Sequence, residues 1–473
     1  MTRTESRLRR TAAICTQGLC LTFCMPLILP ASAQQVVEPR QEPRAERRET
    51  HSGFGISLSV NDLLRGASAL ARAVTAQDDA VYETGQLLVL WADAVQAQAG
   101  LDQLAQREQL RPTARHALAS LGGELAVFQF ATQAEAERWR TQLRASYPDW
   151  IVDFNARAES LQAPQWSEGG AMLNPANAAS APSTVPSTSA RLYALRMLGL
   201  LPRPAARPGP PVRIGVIDTP LAPPATRPDR RAGILDGGAI VEHSVLAASD
   251  IPASSAHGTA VAQLLFGRAL KTVDFVGSAP PGPVWWATAL RQVGERQSTN
   301  TVLLAQAFDW LASQRVQLLN LSAGGAGDDI LKAVTARLLA LDITLVAAAG
   351  NRPDAKPVYP AAYAGVWAVG AVDAARQRYS QGSRGDYLSF AAPGVDVWVP
   401  DIEALAAPQA TGAEAPGRYL SGTSFAAALA TGTLAWLPPT VWAMTGSARL
   451  QRACQSALPV VPMQGCGLLQ ATR

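Results

Sequence analysis

Short apolar runs recur in the second half of the chain, and stretches with helical spacing separate them. Four runs dominated by apolar residues lie at 212–217, 318–321, 344–348 and 366–372. Such runs are typical of strands buried on both faces, as in a parallel sheet with helices on each side. The pattern predicts an α/β fold over residues 191–473, a three-layer sandwich with a mostly parallel sheet.

A second, smaller pattern of alternating elements lies at residues 85–158. The predicted order is strand 86–91, helix 94–109, strand 124–130, helix 132–145 and strand 150–154. Thr132 followed by Glu135 is a capping box, which marks the start of the second helix. This order, at this length, predicts a split βαβ sandwich, that is, a small ferredoxin-like α+β module.

The segments around this module lack a comparable pattern. Residues 34–84 are polar and mostly irregular, apart from apolar residues at helical spacing that predict one amphipathic helix at 61–74. Residues 159–190 are rich in Ala, Ser and Pro, which predicts a flexible linker open to cleavage.

The first 33 residues have the pattern of a secretory leader. Four arginines precede an apolar stretch at 12–29, and the small residues Ala31-Ser32-Ala33 follow it. This predicts cleavage near Ala33 and a secreted or periplasmic product. The alternative is a membrane anchor, which the polar residues inside the stretch disfavour. No later segment reaches the roughly 18 apolar residues that a membrane span needs, so we expect no anchor after cleavage.

Composition narrows the possible classes of protein. Hydrophobic residues make up 48% of the chain and charged residues 16%, which excludes global disorder. The net charge of +4 gives no reason to expect a nucleic-acid partner.

Two cysteines, Cys454 and Cys466, remain after the leader is removed, and in exported proteins such a pair usually forms a disulfide. No metal-ligand spacing appears, and no glycine-rich phosphate loop follows the strand at 212–217, so we expect neither a metal nor a cofactor.

Three separated residues are candidates for chemistry. Asp218 ends a predicted strand, His257 opens a predicted helix, and Ser424 opens another helix after a tight turn. Each has an ordinary structural interpretation: a turn former, a hydrogen-bonded histidine and a helix N-cap. Together, in the order Asp, His, Ser, they match the catalytic triad of subtilisin.

On these motifs, residues 191–473 resemble the subtilase family of serine peptidases. The resemblance rests on Asp218-Thr219, His257-Gly258-Thr259 and Gly422-Thr423-Ser424, with Ala348-Ala349-Gly350-Asn351 between the last two. It implies an endopeptidase that acts on peptide or protein substrates. Ser424 would be the nucleophile, His257 its base and Asp218 the residue that orients His257, while Asn351 would donate a hydrogen bond to the oxyanion.

The resemblance also implies a substrate-binding site. This site contains a pocket for the side chain of P1, the residue before the cleaved bond. One wall of the pocket is a strand that pairs with extended substrate, and a second wall and a floor complete it. The implied residues are Ser322, Ala323 and Gly324 for the first wall, Ala348, Ala349 and Gly350 for the second, and Val358 for the floor. An uncharged, branched floor predicts a preference for apolar P1 residues of small to medium size.

The module at 85–158 is similar to the prodomain that subtilases use as a folding chaperone and temporary intramolecular inhibitor. The resemblance therefore implies a zymogen that cleaves itself between about residues 158 and 190.

Some residues depart from the family pattern. Pro220 stands where the family usually has Gly, and because proline fixes φ, Asp218 is at risk of being mis-aimed. Ala428 replaces a proline after the serine, and Ala260 replaces a frequent second histidine. Pro220 keeps one alternative open, a catalytically inactive subtilase that acts as a binding or scaffold protein. An esterase of the α/β-hydrolase type is disfavoured, because Ser424 lacks the glycine two positions later.

Overall fold

The structure, a computed structural model, describes residues 81–161, 191–204, 206–207, 209–222, 240–267, 275–401, 417–460 and 465–471. The predicted leader, the predicted helix at 61–74 and all but the first three residues of the predicted linker lie outside these ranges.

The first part of the described chain, here called the N-terminal module, covers residues 82–161. Its elements are β1 (Tyr82–Trp91), α1 (Ala94–Gln103), β2 (Ala114–Ala117), β3 (Glu124–Gln129), α2 (Gln133–Ser146) and β4 (Ile151–Ser160). A π-helical turn, Leu104–Glu108, extends α1. The strands form an antiparallel sheet in the order β2-β3-β1-β4, the arrangement of a ferredoxin-like fold.

Three strands of this module differ from the prediction. Strand β1 was predicted to begin at residue 86 but begins at Tyr82. Strand β2 was missed, because its sequence Ala-Arg-His-Ala has no large apolar residue and its side chains are no more than half-buried at the sheet edge. Strand β4 was predicted to end at residue 154 but continues to Ser160. Its second half finds its pairing partners in the other module, which no local pattern reveals.

The remaining described chain, here called the C-terminal module, begins at residue 191. Its strands are β5 (Ile214–Asp218), β6 (Ile240–Ser244), β7 (Val284–Thr288), β8 (Arg291–Val293), β9 (Arg296–Asn300), β10 (Leu318–Leu321), β11 (Ala323–Gly325), β12 (Thr344–Ala348), β13 (Trp367–Val372), β14 (Leu388–Pro393), β15 (Val397–Pro400) and β16 (Gly417–Leu420). Its helices are α3 (Tyr193–Met197), α4 (Ala256–Phe266), α5 (Thr301–Ser313), α6 (Asp329–Ala340), α7 (Thr423–Leu434), α8 (Pro439–Trp442) and α9 (Gly446–Cys454).

Seven parallel strands form the central sheet in the order β14-β13-β12-β10-β5-β7-β6. Neighbouring residues of one strand face opposite layers: Val346 packs with residues of α4 and α7, and Leu345 packs with residues of α5 and α6. This is the predicted three-layer sandwich. Because β5, β10 and β12 are parallel neighbours, Asp218, Ser322 and Ala349 emerge at the same edge of the sheet.

A disulfide joins Cys454, the last residue of α9, to Cys466, with their Cα atoms 5.2 Å apart. This is the pair that the sequence predicted. Within the described ranges, no helix is both long enough and apolar enough to cross a membrane.

Asp328 is a buried carboxyl group that precedes α6, near the boundary of the two modules. Its Oδ1 accepts a hydrogen bond from the Leu331 amide (2.7 Å), and its Oδ2 accepts one from the Thr301 hydroxyl. Burial raises the pKa of Asp328 to about 7, against the lowering effect of these two bonds, and the nearby Asp153 carboxylate raises it further. The folded chain therefore holds a proton that an exposed aspartate releases near pH 4.

This raised pKa predicts a pH dependence of stability. Because the folded state binds the extra proton, the contribution of Asp328 is fully present below about pH 4 and is lost as the pH rises through about 7. Asp328→Asn keeps the cap on α6 but cannot titrate. We expect its melting temperature to fall less than that of the wild type between pH 4 and 7. Equal slopes for both proteins, measured by calorimetry, contradict the assignment.

Candidate active site

Asp218 and His257 meet at the carboxyl edge of the central sheet. Asp218 is the last residue of β5, and His257 is the second residue of α4. The Nδ1 of His257 lies 2.6 Å from the Oδ1 of Asp218, and both side chains are fully buried. A carboxylate in this position fixes the tautomer of the imidazole, leaving Nε2 to accept a proton.

Pro220 does not disturb this pair. The residue before it, Thr219, is held at three points: its amide donates to Asp218 Oδ1 (2.7 Å), its hydroxyl accepts from the Gly258 amide (2.8 Å), and its carbonyl accepts from Trp286 Nε1 (3.0 Å). These bonds connect the end of β5 to the start of α4. With Pro220 in place, Asp218 Oδ1 thus stays within hydrogen-bond distance of His257, while the buried Asp218 Oδ2 has no hydrogen-bond partner among the described residues.

Ser424 is the second residue of α7 and is fully buried. The turn before it passes through Gly422 with a φ of 153°. Its hydroxyl lies 2.7 Å from the Leu161 carbonyl oxygen and 3.0 Å from the Ser322 carbonyl oxygen. Helix α7 runs unbroken past Ala428, so the proline that the family has there is not needed for the helix.

The hydroxyl of Ser424 is not bonded to His257 in this arrangement. Among the described residues, Nε2 of His257 has no hydrogen-bond partner, and its ring centre lies 5.6 Å from that of Phe425, the residue after Ser424. The histidine therefore packs beside the residue that follows the serine. The Ser424 hydroxyl donates to carbonyl oxygens instead, so the serine–histidine hydrogen bond is not formed in this arrangement.

The carbonyl oxygen of Leu161, at the end of the N-terminal module, points into a cluster of hydrogen-bond donors. It accepts a hydrogen bond from Asn351 Nδ2 (2.7 Å) and one from the Ser424 amide (3.3 Å), in addition to the Ser424 hydroxyl. A peptide carbonyl is therefore held between a hydroxyl group and two N–H donors. This arrangement favours negative charge on the carbonyl oxygen.

Thr423 fixes the orientation of the Asn351 amide. The Oδ1 of Asn351 accepts hydrogen bonds from the Thr423 amide (2.9 Å) and hydroxyl (3.0 Å), so its Nδ2 must face Leu161. The Thr423 hydroxyl in turn accepts from the Gly350 amide (3.1 Å). This role of Thr423 was not predicted from the sequence, although its place beside Ser424 was a signal.

The chain that leads to Leu161 lies in the site as an extended strand. On one side, β4 pairs antiparallel with β11, with Ala158 opposite Gly325 and Ser160 opposite Ala323. On the other side it pairs antiparallel with β9, where Ala158 lies opposite Thr299. The Leu161 amide continues the first ladder by donating to the Ser322 carbonyl (3.1 Å). The strand therefore binds as a peptide that adds itself to a sheet edge.

The Leu161 side chain occupies the predicted pocket. If Gly324 carried a side chain, its Cβ would lie only 3.0 Å from Leu161 Cδ1 and 2.6 Å from Val358 Cγ1. The Cγ2 of Val358 would lie 2.7 Å from a Cβ added to Gly350, which has a φ of +111°. Val358 thus contacts both glycine walls, and glycine is required at both positions.

The other predicted wall residues are buried around this pocket. Ala323 lies in β11, Ala348 packs in the core on the α4 and α7 side, and Ala349 packs in the core on the α5 and α6 side. The Ala349 carbonyl accepts a hydrogen bond from the Tyr387 hydroxyl (2.8 Å), which anchors the second wall.

A buried carboxylate also connects the two modules. Glu83, in β1, is bound by Arg157 (3.0 Å) in β4, by Asn300 Nδ2 (3.1 Å) and by Arg291 of the C-terminal module. Arg291 also pairs with Asp250 (2.8 Å). Charges buried in this way are expensive to separate, so this cluster resists removal of the N-terminal module. Within the part of the chain that the structure describes, no group of His, Cys, Asp or Glu residues is arranged to hold a metal ion.

Comparisons with known proteins identify the family of this chain. The model of the subtilase family matches residues 209–452. The minor extracellular protease Epr of Bacillus subtilis is 32% identical over 191 residues, which are 40% of this chain and 28% of that protein. A thermostable alkaline protease of Halalkalibacterium halodurans is 30% identical over 266 residues, 55% of this chain and 66% of that one. The chain thus spans less than two thirds of either relative.

A solved structure supports the fold. Fervidolysin from Fervidobacterium pennivorans, described as a keratinolytic enzyme related to subtilisin, superposes with a TM-score of 0.58 at 19% identity, covering 83% of this chain and 61% of that one. At this identity the likeness speaks for the fold, and it confirms the predicted architecture.

Proposed function

Because the chain belongs to the subtilase family of serine proteases, we propose that it is a secreted endopeptidase that uses Asp218, His257 and Ser424 and is made as a self-processed zymogen. One observation carries the proposal: a peptide carbonyl of the chain itself, that of Leu161, lies against Ser424 and between the Asn351 and Ser424 N–H donors. One relative, the minor extracellular protease Epr of Bacillus subtilis, is extracellular by its name, which supports secretion.

The proposed roles give the following chemical steps. His257 Nε2 takes the Ser424 proton as Oγ attacks the carbonyl carbon, and the negative charge moves to the oxygen facing Asn351. The imidazolium, stabilised by Asp218, then gives its proton to the leaving amine as the C–N bond breaks. Water, activated in the same way, hydrolyses the acyl-enzyme and restores the serine.

The same geometry selects one bond for self-processing. With Leu161 as the P1 residue, the scissile bond is Leu161–Gln162, inside the interval that the sequence predicted. The proposed organisation is a leader (1–33), an extension (34–84), an inhibitory prodomain (85–158), a cleavable linker (159–190) and a catalytic domain (191–473). The strand Ala158 to Leu161 belongs functionally with the prodomain, because it blocks the substrate site.

The proposal is tested by incubating the purified precursor and determining the new N-terminus, expected at Gln162, together with labelling by a fluorophosphonate probe. The probe should label Ser424 once the N-terminal module has left the site, and His257→Ala should abolish the labelling. A precursor that stays whole and unlabelled would instead support the inactive, scaffold interpretation.

The Leu161 pocket predicts the P1 preference. In Leu161→Asp, the pocket formed by Gly324, Gly350 and Val358 must accept a carboxylate with no partner, which costs about 2–3 kcal/mol. We expect cleavage at this bond to slow by at least about thirtyfold. Leu161→Met keeps the volume and polarity and should process within a few-fold of the wild-type rate. Intact mass against time measures both, and equal rates for Leu161→Asp and wild type contradict the prediction.

A further inference from the structure

Glu159, two residues before Leu161, forms an ion pair across the substrate-binding cleft. Its Oε1 lies 2.7 Å from Nη1 of Arg296, the first residue of β9. Both side chains are partly exposed, at 39% and 43%. Arg296 belongs to the C-terminal module and stays there when the strand that carries Glu159 departs.

The backbone ladder fixes the place of this arginine relative to a bound peptide. Glu159 is paired with Ser298, and Arg296 lies two residues earlier on the same face of β9. Diagonal neighbours of this kind are within reach of a long side chain. The backbone of Arg296 is also fixed by its own hairpin. Arg296 pairs with Val293 across a tight turn in which Gly294 has a φ of 57°. Any extended peptide paired with β9 therefore presents its P3 side chain to Arg296.

The second arginine of this hairpin is differently placed. Arg291 binds Glu83 and Asp250, so a carboxylate of its own module already stands beside it. Glu159 is part of the strand that mimics substrate, and its partner Arg296 is aligned with one position of that strand.

We propose that Arg296 is a specificity-determining residue that selects an acidic side chain at P3 of the substrate. The preferred substrates are then extended peptides with an apolar residue at P1 and Asp or Glu at P3. This inference rests on the proposed function, because P3 is defined by the bond that Ser424 attacks. Since the pair is partly exposed, the preference is modest and weakens with salt.

The experiment compares three chromogenic tetrapeptides, Ala-Glu-Ser-Leu, Ala-Gln-Ser-Leu and Ala-Lys-Ser-Leu p-nitroanilides, with the processed enzyme at low ionic strength. We expect kcat/KM to fall about two- to fivefold from Glu to Gln and again from Gln to Lys. Arg296→Glu should reverse the order. Arg452→Glu, an exposed arginine on the last helix, changes the net charge equally and should leave the order unchanged.

The outcomes separate this inference from the proposed function. Cleavage of all three peptides at equal rates, or an unchanged order in Arg296→Glu, overturns the role of Arg296 and leaves the peptidase intact. If nothing is cleaved and the probe labels nothing, the proposed function has failed. In that case the interaction between Glu159 and Arg296 is measured in the uncut chain. The melting temperatures of Glu159→Lys, Arg296→Glu and the variant that carries both substitutions (the double swap) are compared. Recovery in the double swap shows that Glu159 and Arg296 interact across the cleft, and simple additivity refutes that interaction.

Discussion

Replacing Ser424 with alanine is expected to abolish both self-processing and peptide hydrolysis. The substitution removes the proposed nucleophile, whose Oγ lies 2.7 Å from the Leu161 carbonyl oxygen and donates a hydrogen bond to it. For subtilisin itself, loss of the serine lowers kcat by about 2 × 10⁶. Loss on this scale leaves the precursor whole for days, and intact mass against time measures it directly.

The matched control is Ser421→Ala. Ser421 lies three residues earlier, outside the site, and its hydroxyl accepts a hydrogen bond from the Asp396 amide (2.9 Å). This variant should process at close to the wild-type rate. If a Ser424→Ala precursor shortens at the wild-type rate with no other protease present, Ser424 is not the nucleophile. That result would favour the alternative of an inactive subtilase.

The second large effect is expected at Asn351. In Asn351→Ala, the 2.7 Å donor to the Leu161 oxygen is lost, and the Thr423 amide and hydroxyl lose their acceptor. Removal of the corresponding donor in subtilisin costs about 10²–10³ in kcat. We expect a loss of this size in kcat with little change in KM, because the charge on the oxygen develops only in the transition state.

Thr423 provides a graded companion to this experiment. Thr423→Ser keeps the hydroxyl that orients Asn351 and should cost little, whereas Thr423→Val removes it and should lower kcat by about tenfold, the value of one neutral hydrogen bond of roughly 1–1.5 kcal/mol. Steady-state kinetics on a single peptide substrate measure both. A rise in KM with unchanged kcat in Asn351→Ala would assign Asn351 to ground-state binding instead.

The residues that could be predicted are those with a local signature. Asp218, His257 and Ser424 each stand in a short motif at the start or end of an element, and the parallel order of the strands brings those ends together. The central sheet was predictable for a related reason, because strands buried on both faces consist of nearly continuous apolar residues.

The residues that could not be predicted depend on contacts between distant segments. Residues 155–160 carry no apolar periodicity, and their strand forms only because β9 and β11, more than a hundred residues away, offer two edges. Leu161 had one usable signal, since it is the first large apolar residue after Phe154. The local sequence around Pro220 also does not reveal that Thr219, the residue before it, is held by hydrogen bonds from Gly258 and Trp286.

The Glu83 cluster bears on how activity would appear over time. Hydrolysis after Leu161 breaks one covalent bond but leaves both ladders of β4 and the contacts of Glu83 with Arg157 and Arg291 in place. On the proposed function, the freshly cut chain is a product-inhibited complex, and cutting precedes activity. Dissociation of the N-terminal module then sets the lag before activity appears. The first active molecules shorten this lag for the others by digesting N-terminal modules that have dissociated. On this basis the onset of activity should be sigmoidal, with a lag that contracts as protein concentration rises.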